Sequence, residues 1–373
     1  MLIVHQNNII MGREKQRIMT YRRVLNLSLI AIIISLGVFL TGCNSEKEEI
    51  EPYVIPDNVI QCETHIADVY GGADAIVTLI SDDGFYDSGC NFNFLLDERN
   101  LRGTVAGAVC YVEPNLDGWI DILSDGNVEL VNHSYNHIKM DDGSFISVNY
   151  FSLLHEIVSS DIWYEDTFGD EQIVFVCPEN RMCRLGYSIL ENNDFWAVRR
   201  GNRGYNSLSP DEGTEPGQWF NLMVQGICDE GVNTESRNDW IAHAVDQHLW
   251  LIEMWHNVMP EDDGFYQTIS ISDAAEHLDY IQNEVAIGEI WNATFSEAVK
   301  YIREVQNAEV IAFVQDTELH VYVSLCDENM RYDTFNQPLT VFIQLPSEYE
   351  LNGERNLTLD VVPGQEVIVE VQM

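Results

Sequence analysis

Val77-Thr78-Leu79-Ile80-Ser81-Asp82-Asp83-Gly84 reads as a buried β-strand that stops abruptly at two carboxylates and a glycine. Unpaired carboxylates cost several kcal/mol or more to desolvate, so a metal, a cation or water must take up that charge. Further along, the strand-like run Val128-Glu129-Leu130-Val131-Asn132 leads into His133-Ser134-Tyr135-Asn136-His137. One carboxylate and two histidines four apart form a three-ligand set of the kind that holds a divalent metal, with a position left open for water or substrate. The blander readings are a plain acidic turn and two structural histidines.

Composition narrows the partners. The chain has 373 residues, enough for one large domain or two. Its 46% hydrophobic and 10% aromatic content describes a folded protein. The 61 acidic residues against 19 basic ones give a formal charge of −42. Phosphate binding needs clustered Lys and Arg, so nucleic acid is excluded as a partner, and a neutral substrate is favoured over a polyanionic one.

The N-terminus reads as an export signal. Arg22 and Arg23 precede an uncharged run over residues 24–40, followed by Leu40-Thr41-Gly42-Cys43. That ending resembles a bacterial lipobox, in which Cys43 would carry lipid and become the mature N-terminus. An ordinary membrane anchor is the other reading of the run. Either one puts the globular part outside the cytoplasm, lipid-anchored to a bacterial membrane through Cys43 on the first. Residues 1–42 are thus a lipoprotein signal peptide, and residues 43–70, rich in Glu with Pro52 and Pro56, an acidic tether. Beyond Cys43 there are seven cysteines, an odd number, so at least one thiol stays unpaired, and the spacing dictates no pairing.

From residue 75 onward strand and helix patterns alternate. Strands are expected at 75–82, 105–112, 128–132, 172–178, 195–198, 222–227 and 250–255. Helices are expected at 92–101, 118–123, 151–163, 185–190, 239–248, 273–281 and 296–305, with a short strand near Ile290. This alternation implies a parallel sheet, closed or nearly closed. Asp82 and Asp83, His133, the Cys177-Pro178 turn and His256 all fall at C-terminal strand ends, the face on which β/α barrels build their sites. Past residue 306 only short β runs remain, punctuated by Pro338, Pro346, Asn352-Gly353 and Pro363-Gly364. Residues 307–373 read as a small all-β, sandwich-like domain after an α/β part at 71–306.

In this order and separation, the Asp82-Asp83-Gly84 and His133-Ser134-Tyr135-Asn136-His137 motifs resemble those of the polysaccharide deacetylases, carbohydrate esterase family 4. The resemblance covers residues 75–305 and implies a distorted (β/α) barrel. It also implies that Asp83, His133 and His137 hold a divalent metal ion, by default Zn2+, with Asp82 as general base. The chemistry agrees: a bound divalent ion lowers the pKa of water to about 7, and an adjacent carboxylate can take its proton. By the same resemblance His256, at the end of Leu251-Ile252-Glu253-Met254-Trp255-His256, is the general acid. The third motif departs from the family pattern. Arg-x-Pro-Tyr-Gly is expected, and Val176-Cys177-Pro178-Glu179-Asn180-Arg181 is found. A backbone donor survives side-chain change, so Glu179 or Asn180 could still serve the oxyanion. Arg181, or one of Arg199, Arg200 and Arg203, is expected to replace the lost arginine that braces Asp82. The family's fourth motif has no clear counterpart. Tyr135, Trp219 and Trp255 are candidate walls for a sugar ring, with simple packing as the competing reading.

The resulting expectation is a metal-dependent hydrolase that removes acetyl groups from an N- or O-acetylated glycan at the cell surface. A catalytically weakened glycan-binding lipoprotein on the same fold, or a metal-dependent amidase with a non-sugar substrate, are the alternatives.

Overall fold

Seven parallel strands close on themselves in the computed structural model, which describes residues 53–141, 149–169, 171–211, 217–261 and 266–373. They are β1 (Ala75–Ser81), β2 (Gly103–Gly107), β3 (Val128–Asn132), β4 (Val174–Val176), β5 (Ala197–Arg203), β6 (Leu222–Gly226) and β7 (Leu249–Trp255). Each pairs with the next, and β7 pairs with β1 over Trp250–Trp255 and Ile76–Ser81, which shuts the barrel. The strand Ile290–Asn292 lies parallel to the first half of β1, against Ala75–Val77. Closure is irregular: β4 is short, and the register between β5 and β6 shifts between Arg199 and Arg203.

Strand period explains the core. Along β1 every residue is buried, as expected of a parallel strand covered on both faces. Ala75, Val77 and Leu79 pack with Phe92, Leu95 and Trp255, whereas Ile76 and Ile80 pack with Trp219, Trp250 and Phe295. Helices Tyr86–Asp97, Leu116–Ser124, Thr234–Gln247 and Ile271–Ile287 contribute to the first cluster. Several start where the local sequence supplies a cap. Thr294 and Glu297 form a reciprocal capping box at the head of Phe295–Asn307, and Asn233 and Ser270 cap their helices through side-chain oxygens.

This packing corrects two expectations. Trp219 and Trp255 are fully buried and wall no cleft. Trp219 lies under the Arg303 guanidinium, 4.0 Å from its ring centre, and beside Trp250. Trp255 sits against Phe92 and His277, and its indole N–H donates to Glu253 at 3.2 Å. Both are large, mostly apolar groups packed into the core.

The C-terminal β part is a pair of sheets. Ala308–Gln315, Glu318–Leu325 and Glu366–Glu370 form three strands of one, and Leu339–Gln344 with Asn356–Val361 form two strands of the other. Their missing members come from before the barrel. Ile60–Gln61 pairs with Phe313 and Val314, and Glu63–Ile66 pairs with Val341–Gln344. Residues 60–66, which composition assigned to the tether, are therefore strands. Cys62 and Ile66 alternate with exposed neighbours and pack on the sandwich core, a period-2 signal hidden among glutamates and prolines. Tyr301 from the last barrel helix also enters that core and donates its hydroxyl to the Ala67 carbonyl at 2.9 Å. Residues 56–373 form one compact unit. The signal-peptide segment and Cys43 lie outside the described residues. Among those described, no helix is long and apolar enough to cross a membrane, and Cys62, Cys90, Cys110, Cys177, Cys183, Cys228 and Cys326 are all free thiols.

Candidate metal centre and active site

The site begins where β1 ends. Asp82 is the last residue held by the neighbouring strand, its N–H donating to the Trp255 carbonyl at 2.9 Å. Asp83 and Gly84 then both turn left-handed, at φ 78° and 82°. A Cβ on Gly84 would stand 2.8 Å from the Gly107 Cα, so only glycine lets β1 and β2 end this close together.

That turn aims Asp83 at the histidine loop after β3. Its Oδ1 is 3.0 Å from His137 Nε2 and 3.7 Å from His133 Nε2. The three donor groups lie within 4.8 Å of one another. Burial pushes the Asp83 carboxyl up, but hydrogen bonds and charge from His133 and His137 outweigh this and hold it well below the usual carboxylate range. Desolvation lowers His137, and the Asp83 partner reverses that to a net rise. His133 Nδ1 meets the Val176 carbonyl at 2.8 Å, which turns Nε2 toward Asp83 and the metal position. One carboxylate oxygen and two imidazole Nε2 atoms on one side of a partly buried turn fit a divalent first-row ion.

Asp82 faces the other way. Arg199 Nη2 donates to both of its oxygens at 2.5 Å, and His256 Nε2 lies 3.9 Å from Oδ2. Arg199 has no exposed side-chain surface, and Asp82 has very little. Arg199 also holds the neighbouring turn, its Nη1 donating to Asn180 Oδ1 at 2.9 Å. Across the β4–β5 ladder the partner of Arg199 is Val176. Val176 occupies the place where the third-motif pattern has its arginine. Arg199 thus reaches Asp82 from the strand beside Val176, at the same level of the barrel.

His256 follows β7 and is almost fully buried. Desolvation pulls its imidazole down from the ordinary histidine range, against the opposing pull of the Asp82 and Asp83 charges. Its carbonyl is fixed by the hydroxyls of Ser88 at 2.8 Å and Ser81 at 3.1 Å. In the turn after β4, Glu179 and Asn180 are left-handed, at φ 53° and 59°. The Asn180 N–H bonds Cys177 and the Arg181 N–H bonds Pro178, so Glu179 N–H is the donor that the turn does not itself engage.

Arg181 is not the brace. It is exposed and pairs with Asp141 at 3.2 Å, a local acid in a chain rich in them. Tyr135 lies in the histidine loop, but its ring contact is with His155, at 4.5 Å between centres. The aromatic rings that meet the site's imidazoles are others. Tyr111 lies 5.8 Å from His137 and 4.9 Å from Phe85, and Tyr266 stands edge-on to His256 at 5.4 Å. Both follow barrel strands, β2 and β7, and that position was the available signal for finding them.

No protein-family model and no curated protein matches the chain. Solved structures do. The chain is similar in fold to polysaccharide deacetylases. A putative polysaccharide deacetylase from Mycobacterium smegmatis matches at 14% identity and TM-score 0.47, over 68% of this chain and 94% of that one. A family 4 carbohydrate esterase from Streptomyces lividans, solved with acetate, matches at 13% identity and TM-score 0.41, over 58% and 91%. A family 4 pseudoenzyme from Bacillus anthracis matches at 14% identity and TM-score 0.41, over 60% of this chain and 65% of that one. The deacetylase-type barrel stands on its own strand order and register.

Proposed function

We propose that the protein is a metal-dependent deacetylase acting on an N- or O-acetylated glycan. The observation that carries this reading is one carboxylate, Asp82, held between Arg199 and His256 beside a separate three-donor set, Asp83, His133 and His137. Two adjacent carboxylates with opposite partners have different tasks.

Asp83, His133 and His137 are the residues that would hold the ion. When bound, the ion supplies a polarising charge and a water of lowered pKa. Asp82 takes the proton of the attacking water, and Arg199 keeps its carboxylate oriented. Glu179 N–H donates to the acetyl oxygen as negative charge develops on it. His256, whose burial loosens its hold on a proton, gives that proton to the leaving amine or alcohol, and acetate departs. Phe85, Tyr111 and Tyr266 offer ring faces on which a pyranose can lie.

The motif order supports a glycan substrate, and Zn2+ is the default metal for this donor set. Acetate release by the chain from about Asn44, loaded with zinc, tests the reading. The panel holds chitin oligomers, acetylated xylan and peptidoglycan fragments, each with and without chelator. Chelator-sensitive release that Asp82→Ala abolishes supports it. The loss of the arginine at Val176 favours a second reading, a glycan-binding protein without turnover. Binding of the same glycans with no release, unaffected by Asp82→Ala, would establish that one. We further propose an extracytoplasmic protein lipid-anchored through Cys43, a reading that palmitate labelling sensitive to Cys43→Ser would support and labelling insensitive to it would overturn.

A further inference from the structure

The helix that follows the histidine loop changes its winding for one turn. Tyr150–Leu154 and Ser160–Phe168 are α-helical, and His155–Ser159 between them is π-helical. Neither proline nor glycine occurs from 150 to 168 to force this. A single π turn inside an α-helix is frequently found at a functional site.

Here the turn carries Glu156, a carboxylate only 2% exposed on the inner side of the helix. Its Oε2 accepts the Asn136 N–H at 2.8 Å and its Oε1 accepts Asn136 Nδ2 at 2.8 Å. Its carbonyl accepts the Tyr135 N–H at 3.1 Å. One residue therefore takes three donors from the two residues that separate Ser134 from His137. The loop needs such a hold, because Ser134 and His137 are both left-handed, at φ 74° and 55°. Non-glycine residues keep that conformation only where their surroundings over-determine it.

The two metal histidines are aimed differently. His133 has the Val176 carbonyl on its second ring nitrogen. Among the described residues no acceptor holds the second ring nitrogen of His137, and its ring direction follows from its backbone. That backbone is fixed by the Ser134 hydroxyl on its own N–H, at 3.0 Å, and by Glu156 on the residue before it.

We propose that Glu156, brought inward by the π turn, is a positioning residue that sets His137 for metal binding. The inference rests on the reading of Asp83, His133 and His137 as metal donors, and not on the identity of the substrate. Loss of a group that orients a metal ligand lowers metal affinity about 10- to 100-fold, and Glu156 orients His137 through the backbone of the residue before it.

The test is the zinc dissociation constant of the detergent-solubilised full chain, measured by competition with a chromophoric chelator well below the unfolding temperature. Glu156→Ala is expected to weaken zinc about 100-fold and Glu156→Gln, which keeps one acceptor oxygen, about 10-fold. Glu165→Gln, an exposed carboxylate on the same helix, leaves zinc binding unchanged. Asn136→Ala in the Glu156→Ala background adds little, because Glu156→Ala has already removed the partner of the Asn136 side chain. Unchanged zinc affinity in folded Glu156→Ala overturns the proposal. Should that variant not fold, unchanged affinity in Glu156→Gln does so. A wild-type chain that takes up no zinc overturns this proposal and the metal centre together. A chain that binds zinc with the predicted ranking but releases no acetate overturns the deacetylase reading alone.

Discussion

The two loops that frame the site, after β3 and after β4, are neighbours, the first tied to the end of β4 by the His133–Val176 hydrogen bond, yet they carry their chemistry differently. The histidine loop keeps both donors at the expected sequence positions. The Cys177–Arg181 turn gives Asp82 no brace, Arg181 pairing with Asp141, and the guanidinium comes instead from Arg199 on the next strand. Metal ligands must meet one point at bond distance, so the backbone that bears them has little freedom. A brace for a carboxylate needs only a long side chain ending at the right place. Adjacent strands lie about 4.8 Å apart, well within the reach of an arginine. Both groups reach the site, but only the histidines do so from the sequence positions expected of them.

The largest expected effect separates donors from base. Asp83→Ala or His133→Ala should weaken zinc by more than about 100-fold, beyond what outer-shell changes cause, and abolish turnover with it. Asp82→Asn should lower kcat about 10²- to 10⁴-fold, the worth of a positioned general base, with zinc affinity intact. Parallel zinc titrations and initial rates check both. Equal loss of zinc in the two sets would dissolve the division between the carboxylates.

The next tests the brace itself. Arg199→Met leaves Asp82 buried and unpaired, and removing one partner of a buried pair costs about 3–5 kcal/mol. Thermal and urea unfolding should register that loss, together with a fall in kcat. Val176→Arg in the Arg199→Met background offers the guanidinium from the neighbouring strand instead. Val176 and Arg199 are register partners, so their side chains leave the barrel wall on the same side. Recovery of both stability and rate is expected, and recovery of neither would show that Arg199 does more than brace Asp82.

Much of this site was legible because reactive residues stood at the ends of apolar runs. Asp82, Asp83, His133, His137 and His256 each break a pattern that packing alone would continue. Arg199 was legible as one of three arginines after a strand, but only the register across from Val176 singles it out. Trp219 and Trp255 stayed open between cleft and core because which of the two an aromatic ring faces is a tertiary property, and the structure buries both. Residues 60–66 were hidden because a strand that completes a distant sheet carries little local signal beyond its alternation. Glu156 was hidden for another reason. Regular 3.6-residue winding puts it on the polar side of a helix, and one π turn brings it inside.

The smallest effect concerns Cys177, beside the turn's proline and fully buried. Desolvation pushes its thiol up to about 12, with Arg199 and Arg200 pulling modestly the other way. The unfolded chain would lose this proton near pH 9, the ordinary value for the group. Between those values the folded state binds the proton and the unfolded state does not, so stability falls as pH rises. The slope from this one group is at most about 1.4 kcal/mol per pH unit. Cys177→Ala should flatten that part of a urea-unfolding pH series while leaving zinc affinity untouched, since the histidine loop contacts the backbone of β4 and not this thiol. A change in zinc affinity would mean that the two loops are coupled through more than one hydrogen bond. An unchanged slope would mean that the thiol is not sealed from water, and the turn would then be a looser support for Arg199 than its packing implies.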